Sequence, residues 1–512
     1  MKRRGSTIVL LSLLTLCYGR LQAEDVYHTV NYHVETVADM SKGDHLPYFM
    51  AANSYGVLSP QGSQGFLRAA VHYNRQREER KFYFGAGADM IAYVSSHHDY
   101  YRNNSYLQQC YLEVGSGKYF ITAGIKEQPA RFVDGNLNSG NMVWSNNSRP
   151  VPGLHIGTRD FVKMFIIADL LESSFDFFYG KMLDGDFNNH RFDQYQALGD
   201  KGPLRASAFD GAYLHRKSVW VRTPSKYPFY ITFGVEHAAL FGGKIKHIDG
   251  KWDASRELVT FDQTCKWGNA LLGGEGRTDD ALNHLMTLDA RMDFRAEKFD
   301  FALYKQHYTD DLNAKSFSNF ADGLWGMELK LKRFPWLNHV VMEFIKTNSQ
   351  GDNTEALKKF ASGTETTVDD FASDFYQDQR FGGYAYYGMA CGHPMVTSPI
   401  YNADLYPGYL YNNMQGIHLG AEGNINDDFS YRVKFCNIKS DGNPWTSALE
   451  KLEGQPVSSY TNTSCHVEAC YKHKSWNYGV QLSIDNGDLY GNNFGIGLSA
   501  RYSGTMLKTI WK

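Results

Sequence analysis

The residues best suited to chemistry stand in one short run, Trp144-Ser145-Asn146-Asn147-Ser148-Arg149-Pro150. A tryptophan face stacks on a pyranose ring. Asn146, Asn147 and Arg149 supply amide and guanidinium donors for hydroxyls or uronate carboxylates. Sugar binding is one reading of the run. The other is structural: Asn-rich loops with two prolines form rigid inward folds, and Arg149 then pairs with carboxylates inside the protein. A second group is cationic: Arg291, Arg295, Lys330, Arg432 and Lys434. Such a group steers an acidic polymer if its charges are free. Asp289, Asp293 and Glu328 sit beside these cations, which predicts a neutralised network instead.

Other chemistries find little support. The 18 His show no H-E-x-x-H spacing, G-x-S-x-G does not occur, and no Gly-rich phosphate loop joins a strand to a helix. Asp184-Gly185-Asp186-Phe187-Asn188 begins like a calcium loop but lacks the later Gly and the closing Glu. No metal ligand, cofactor or catalytic residue is assigned. Carboxylates are plentiful, but sequence alone does not set two of them across a cleft.

These residues need elements to position them. In Asn283–Tyr308, Met286, Leu288, Ala290, Met292 and Phe294 alternate with Thr287, Asp289, Arg291, Asp293 and Arg295. After Ala296-Glu297 the chain returns with Phe299, Phe301 and Leu303 on the apolar side. Period two means strand. One face is apolar without interruption and the other carries ordered opposite charges, the pattern of a membrane barrel with lipid outside and a wet lumen inside. The register predicts that Leu288→Arg, pointing outward, costs about 2–4 kcal/mol at mid-membrane, and that Thr287→Arg, pointing inward, costs much less.

The hairpin recurs. Short turns fall near residues 78, 116, 172, 225, 297, 335, 425 and 474. The turn near 172 joins strands expected at 161–170 and 174–182. Eight turns join sixteen strands; a first strand at 28–35 and a last at 494–502 make 18. The turns near 78 and 172 are less sharply marked, and 16 is the alternative count. The fold class expected is all-β, a transmembrane antiparallel β-barrel. Its short turns and both termini lie on one side and its long loops on the other. Phe334-Pro335-Trp336 suits an interface girdle. A lumen this wide is not filled by wall side chains alone. Residues 38–64 read as a short helical plug segment, opened near Pro47 and closed at Gly56. Residues 127–158 and 348–414 read as long outer or inward-folded loops.

Residues 1–23 read as a signal peptide. Lys2, Arg3 and Arg4 precede an apolar run from Ile8 to Leu16, with cleavage after Ala23, leaving 24–512 as one barrel domain. A lipoprotein acylated at Cys17 is the rival, but Leu16 is not the small residue a lipobox needs. Without its four basic residues the mature chain holds 48 basic against 55 acidic side chains, which excludes nucleic acid as a partner. No membrane helix is expected, because no stretch after the signal has 18 consecutive apolar residues. Six cysteines remain. Cys436 and Cys470 lie at opposite ends of neighbouring strands, and Cys465 faces the other way. Mostly free, buried thiols are expected, with only Cys265 and Cys391 left open as a pair.

Three stretches carry a resemblance: PYFMAANSYG (47–56), NSGNMVWSNNSRPVPGLHIG (138–157) and GAYLHRKSVWVR (211–222). They resemble the capsule assembly Wzi family in its Bacteroidetes-type form, over essentially the whole mature chain. The Asn-Ser-Arg-Pro-Val-Pro-Gly core is the most specific part. The resemblance implies an 18-stranded outer-membrane barrel with a plugged lumen, a surface lectin that tethers capsular polysaccharide, and no enzymatic activity. The N-terminal part is short and opens with a strand, so a large periplasmic helical bundle is not expected. The partners implied are surface polysaccharide and outer-membrane lipid, with the barrel a monomer. Two alternatives remain. A general porin or transporter would use the same strands. A secreted β-rich glycan-active enzyme would need a second layer to cover the apolar faces, and none is evident.

Overall fold

The computed structural model describes residues 26–510 except 78–80, 97–104, 134, 165–169, 199–206, 247–251, 255–281, 310–318, 365–371, 373 and 378–382. The signal segment and Cys265 lie outside the described residues. Eighteen strands run antiparallel to their neighbours and close into a barrel. They are β1 (Val26–Lys42), β2 (Gln64–Arg77), β3 (Phe82–Ser95), β4 (Ser105–Ser116), β5 (Tyr119–Ile125) and β6 (Gly153–Thr158). There follow β7 (Glu172–Lys181), β8 (Tyr213–Arg222), β9 (Phe229–Phe241), β10 (Leu282–Arg295), β11 (Phe299–Thr309) and β12 (Gly323–Leu331). The last six are β13 (His339–Lys346), β14 (Met414–Asn424), β15 (Phe429–Ser440), β16 (Tyr460–His473), β17 (Trp476–Gly487) and β18 (Asn493–Ile510). Closure is made by β1 on β18, from Val26 opposite Ile510 to Lys42 opposite Phe494.

Alternation decides which way each side chain points. On β16, Val467 is 47% exposed while Ser464 is fully buried; on β17, Leu482 is 43% exposed and Ser483 buried. Apolar residues exposed on strand after strand form the continuous outer band that lipid covers. Tyr471, Trp476, Tyr478 and Tyr502 gather near the short-turn end, with Trp476 and Tyr478 stacked at 5.9 Å and Trp476 against Tyr502 at 5.1 Å. Phe334 and Trp336 stand exposed at the same end. Among the described residues no helix is long and apolar enough to cross a membrane.

One strand differs from the sequence expectation. Among the described residues of the strand expected at 161–170, Val162–Lys163 are extended against β7; on that edge the longer partner of β7 is β6. β6 lies inside the stretch read as irregular. Leu154 points outward and His155 inward, so the alternation was present. The prolines at 150 and 152 masked its start.

The hydrophobic core lies inside the lumen rather than between sheets. Its largest fully buried side chains include Tyr308, Tyr376, Tyr384, Tyr409 and Tyr490. All but Tyr308 come from connections on the long-loop side. The helical content of residues 43–63 is one turn, α1 (Tyr48–Ala51), with all four residues buried. Longer helices, α2 (Gly185–Ala197), α3 (Thr354–Ala361) and α4 (Pro444–Leu452), stand in connections on that same side.

Candidate functional site

The segment 137–151 is too rich in Asn, Ser, Gly and Pro to build a ladder of its own, so its polar groups need partners elsewhere. The wall supplies them. Ser139 N donates to Glu343 Oε2 of β13 at 2.6 Å. Asn141 Nδ2 donates to Glu236 Oε2 of β9 at 2.7 Å. Met142 N donates to Gln306 Oε1 of β11 at 3.1 Å. The Leu137 carbonyl meets His418 Nε2 of β14 at 2.8 Å. A second set of bonds ties the segment to the other inward loops. Ser145 N donates to the Cys391 carbonyl at 2.9 Å, and Asn147 Nδ2 to the Ala390 carbonyl at 3.0 Å. Asn53 Nδ2 donates to the Ser139 carbonyl at 2.9 Å. Packing is close enough to require glycine at Gly56. Its φ is +60°, and a Cβ there would stand 2.8 Å from Arg149 Cγ.

Trp144, Asn146, Asn147 and Arg149 are therefore interior residues, 5%, 3%, 1% and 8% exposed. Trp144 carries the Arg216 guanidinium over its ring at 4.9 Å. Arg149 lies between the rings of Tyr106 at 4.0 Å and Tyr387 at 4.4 Å. Asn146 Oδ1 accepts from Ala130 N at 2.9 Å. In this arrangement the run knits the lumen filling together and offers no open face to a sugar.

The five inward cations do not converge. Arg291 Nη2 meets Glu328 Oε2 at 2.7 Å, and Arg291 Nε meets Asp293 at 3.0 Å. Lys330 reaches Glu328 at 3.1 Å. Glu328 Oε1 continues to His339 Nε2 at 2.7 Å, and His339 Nδ1 to Glu422 at 3.2 Å. Glu422 holds Arg432 at 3.0 Å, and Arg432 reaches Glu468 at 3.3 Å. The result is a belt of alternating charge from β10 to β16. Lys434 lies on the same face of β15, opposite Gly420 and His466. Arg295 sits at the rim, donating to Tyr230 Oη at 2.9 Å and to the Ser225 carbonyl at 3.0 Å. Asp289 is the exception to the expected pairing. Its partners are Trp220 Nε1 at 3.0 Å and Gln306 Nε2 at 3.1 Å. The Arg291 guanidinium is turned to Asp293 and Glu328 instead.

Arg291 and Lys330 do share a cavity of about 600 Å³, between residues 126–133 and the inner faces of β4 to β12. Its floor is a cluster that sequence reading missed. Asp176 on β7 takes His155 Nε2 at 2.5 Å and Arg216 Nη2 at 3.0 Å. Arg131 approaches Asp176 at 3.6 Å and donates to the Phe175 carbonyl at 3.2 Å. At the mouth, Arg222 pairs with Glu172 at 2.7 Å and covers the Phe161 ring at 3.9 Å. Arg159 pairs with Glu113. These partners lie tens of residues apart in the sequence, and His155, Asp176 and Arg216 meet because β6, β7 and β8 pair side by side. The available signal was a charge on the inward face of an otherwise apolar strand, such as Asp176 within Phe175-Asp176-Phe177. Among the described residues no group of three or more His, Cys, Asp or Glu is arranged to hold a metal ion.

Comparison with known proteins bears on the whole barrel. Wzi of Escherichia coli is described as an outer-membrane protein involved in group 1 capsule assembly and a carbohydrate-binding β-barrel. It superposes with a TM-score of 0.53 at 12% identity, covering 98% of this chain and 89% of that one. OccAB4 of Acinetobacter baumannii gives a TM-score of 0.45 at 8% identity, covering 95% of this chain and 99% of its own. OpdQ of Pseudomonas aeruginosa gives 0.41 at 8%, covering 94% and 98%. Among curated proteins none matches. The model for capsule assembly protein Wzi matches residues 65–398, a span running from β2 through the lumen-filling segment 137–151 to the loop that it binds. By that match the chain, an outer-membrane β-barrel, belongs to the capsule assembly Wzi family.

Proposed function

We propose that this protein is a non-enzymatic outer-membrane barrel that binds surface polysaccharide and helps attach or assemble the capsule at the cell surface. The observation that carries the reading is the filled lumen. Residues 137–151 are buried almost without exception and bonded both to the wall and to the loop around Ala390–His393. A conducting porin needs a clear passage, and this interior is occupied by protein. Family membership and the carbohydrate-binding description of the Escherichia coli barrel point the same way. In this reading Trp144, Asn146, Asn147 and Arg149 act by positioning, since they set the loops through which glycan is met. Arg291 and Lys330 belong to a polar cavity, and Arg295, Arg432 and Lys434 to the lumen wall. Residues 1–23 direct export and are removed, and the mature chain inserts as a monomer.

The test has two parts. Purified protein in detergent is used to capture polysaccharide released from the producing cells, and the same protein is placed in planar bilayers. Saturable capture with negligible conductance is expected. Large, steady conductance without capture would replace this reading by a porin. In cells lacking the protein, polysaccharide should move from the cell-bound to the released fraction.

A further inference from the structure

The cavity holding Arg291 and Lys330 has a direction. At its rim the side chains of Arg159, Asp160 and Lys330 are 47%, 54% and 52% exposed. At its floor those of Asp176 and Arg216 are 2% and 6% exposed. The rim residues lie just after β6 and near the end of β12, both on the short-turn side, which in outer-membrane barrels faces the periplasm. A volume of about 600 Å³ falls within the range of about 300–1,000 Å³ typical of small-molecule sites.

The lining chooses among ligands by its charge balance. Seven Lys and Arg face the space against six Asp and Glu. The guanidinium groups of Arg216, Arg222 and Arg291 each hold a carboxylate at 3.0 Å or closer. An incoming phosphate or uronate would compete with acids already in contact and would meet almost no net positive charge. A hydroxyl-rich neutral ligand faces no such competition. Carboxylate oxygens accept from its hydroxyls, and guanidinium N–H groups not used in the ion pairs donate to its oxygens, as charge-assisted bonds. The ion pairs and the Arg222–Phe161 stack fix these side chains before any ligand arrives, so little ordering is left to be lost on binding.

We infer that this cavity binds a short neutral oligosaccharide entering from the periplasmic side, so that the barrel engages glycan at its inner mouth. The inference rests on the carbohydrate-binding reading given above and adds a place, a direction and a chemical class to it.

The mature protein in detergent is titrated calorimetrically with maltotriose, cellotriose and chitotriose, with trigalacturonate, and with inorganic phosphate. Saturable binding of at least one neutral trisaccharide is expected, tighter than that of trigalacturonate or phosphate. Arg222→Gln should weaken it at least tenfold, as should Asp160→Asn combined with Lys330→Gln. The second variant changes only half-exposed rim positions, and heat-modifiable gel mobility verifies that both remain folded. Lys330→Cys should react with a membrane-impermeant maleimide only after the outer membrane is permeabilised. Absence of binding by every neutral sugar, unchanged affinity in both folded variants, preference for the anions, or labelling in intact cells would each overturn the inference. If capture of the whole polysaccharide persists in those cases, the capsule reading stands without this site. If capture is absent as well, both fall.

Discussion

Glu343 on β13 accepts a 2.6 Å hydrogen bond from Ser139 N and a 2.5 Å bond from the Tyr304 hydroxyl. One wall carboxylate thus holds both the tyrosine of β11, across the intervening β12, and the backbone of the lumen filling. Removing it leaves a buried N–H and a buried hydroxyl without an acceptor, at about 1–3 kcal/mol for each. Glu343→Ala should lower the unfolding midpoint and loosen segment 137–151, raising solute flux in liposome-swelling assays. Glu343→Gln keeps an acceptor oxygen and should lie between the two. Unchanged stability and flux in the Ala variant would show that the other anchors, Glu236 and Gln306, suffice.

The register makes a second prediction and needs one amendment. Leu288→Arg turns a charge into the lipid band and should cost about 2–4 kcal/mol. Thr287→Arg was the expected mild comparison, but Thr287 is fully buried within the filled lumen. An arginine there overpacks the interior and is not mild. The suitable inward control is Lys330→Ala at a half-exposed site, where about 0.5 kcal/mol or less is expected. Chemical denaturation in detergent, followed by tryptophan fluorescence, measures all three. Equal losses in Leu288→Arg and Lys330→Ala would contradict the assignment of faces.

The contrast between Leu288 and Thr287 shows where sequence reading stops. Alternation along β10 declares which side each residue takes, and the turn spacing gives eighteen strands, because both are local properties of the chain. What fills the inside is not local. Trp144 looked like a sugar platform because its sequence neighbours are polar; its spatial neighbours, Arg216 and Phe178, come from β8 and β7. Arg291 and Glu328 meet across the intervening β11, whereas Asp176, His155 and Arg216 sit on the paired strands β7, β6 and β8 and are joined by Arg131 from the segment after β5. The cysteines divide in the same way. Cys391 and Cys436 are buried and unbridged, whereas Cys110 and Cys465 are exposed on the outward face, where buried thiols were expected. A strand's period gives a face, but lipid and core both accept a small apolar side chain.

A pH dependence follows from Asp184, which precedes α2 on the long-loop side, outside the strands. Its Oδ2 accepts from Tyr387 N at 3.1 Å. Burial, with the Asp210 carboxylate adding to it, pushes Asp184 up to about 6. The folded state thus binds this proton more tightly than the unfolded chain, where an aspartate titrates near about 3.9. The associated stability is fully present below about pH 4 and is lost as pH rises through about 6, with an upper bound on the order of 2–3 kcal/mol. Hydrogen exchange of residues 185–197, corrected for intrinsic rates, should be slower at pH 5 than at pH 7.5. Asp184→Asn should abolish the difference. The same pH dependence in that variant would assign it to another group.

Cysteine reactivity reports separately on the outer face and on the lumen filling. In nanodiscs, Cys110 and Cys465 should react with an apolar maleimide and resist a charged one, because lipid covers them. Cys391 should resist both. Burial pushes its thiol up to about 12, leaving almost no thiolate at neutral pH, and its backbone is held between Ser145 and Tyr384 at 2.9 and 3.0 Å. Mass spectrometry after timed labelling should find Cys391 modified only on denaturation in the wild type. In Glu343→Ala, whose lumen filling has lost an anchor, labelling should appear under native conditions. Rapid labelling of Cys391 in the wild type would mean that the loops open spontaneously. A lumen that opens would have to be tested again as a passage, and the occlusion on which the binding reading rests would be lost.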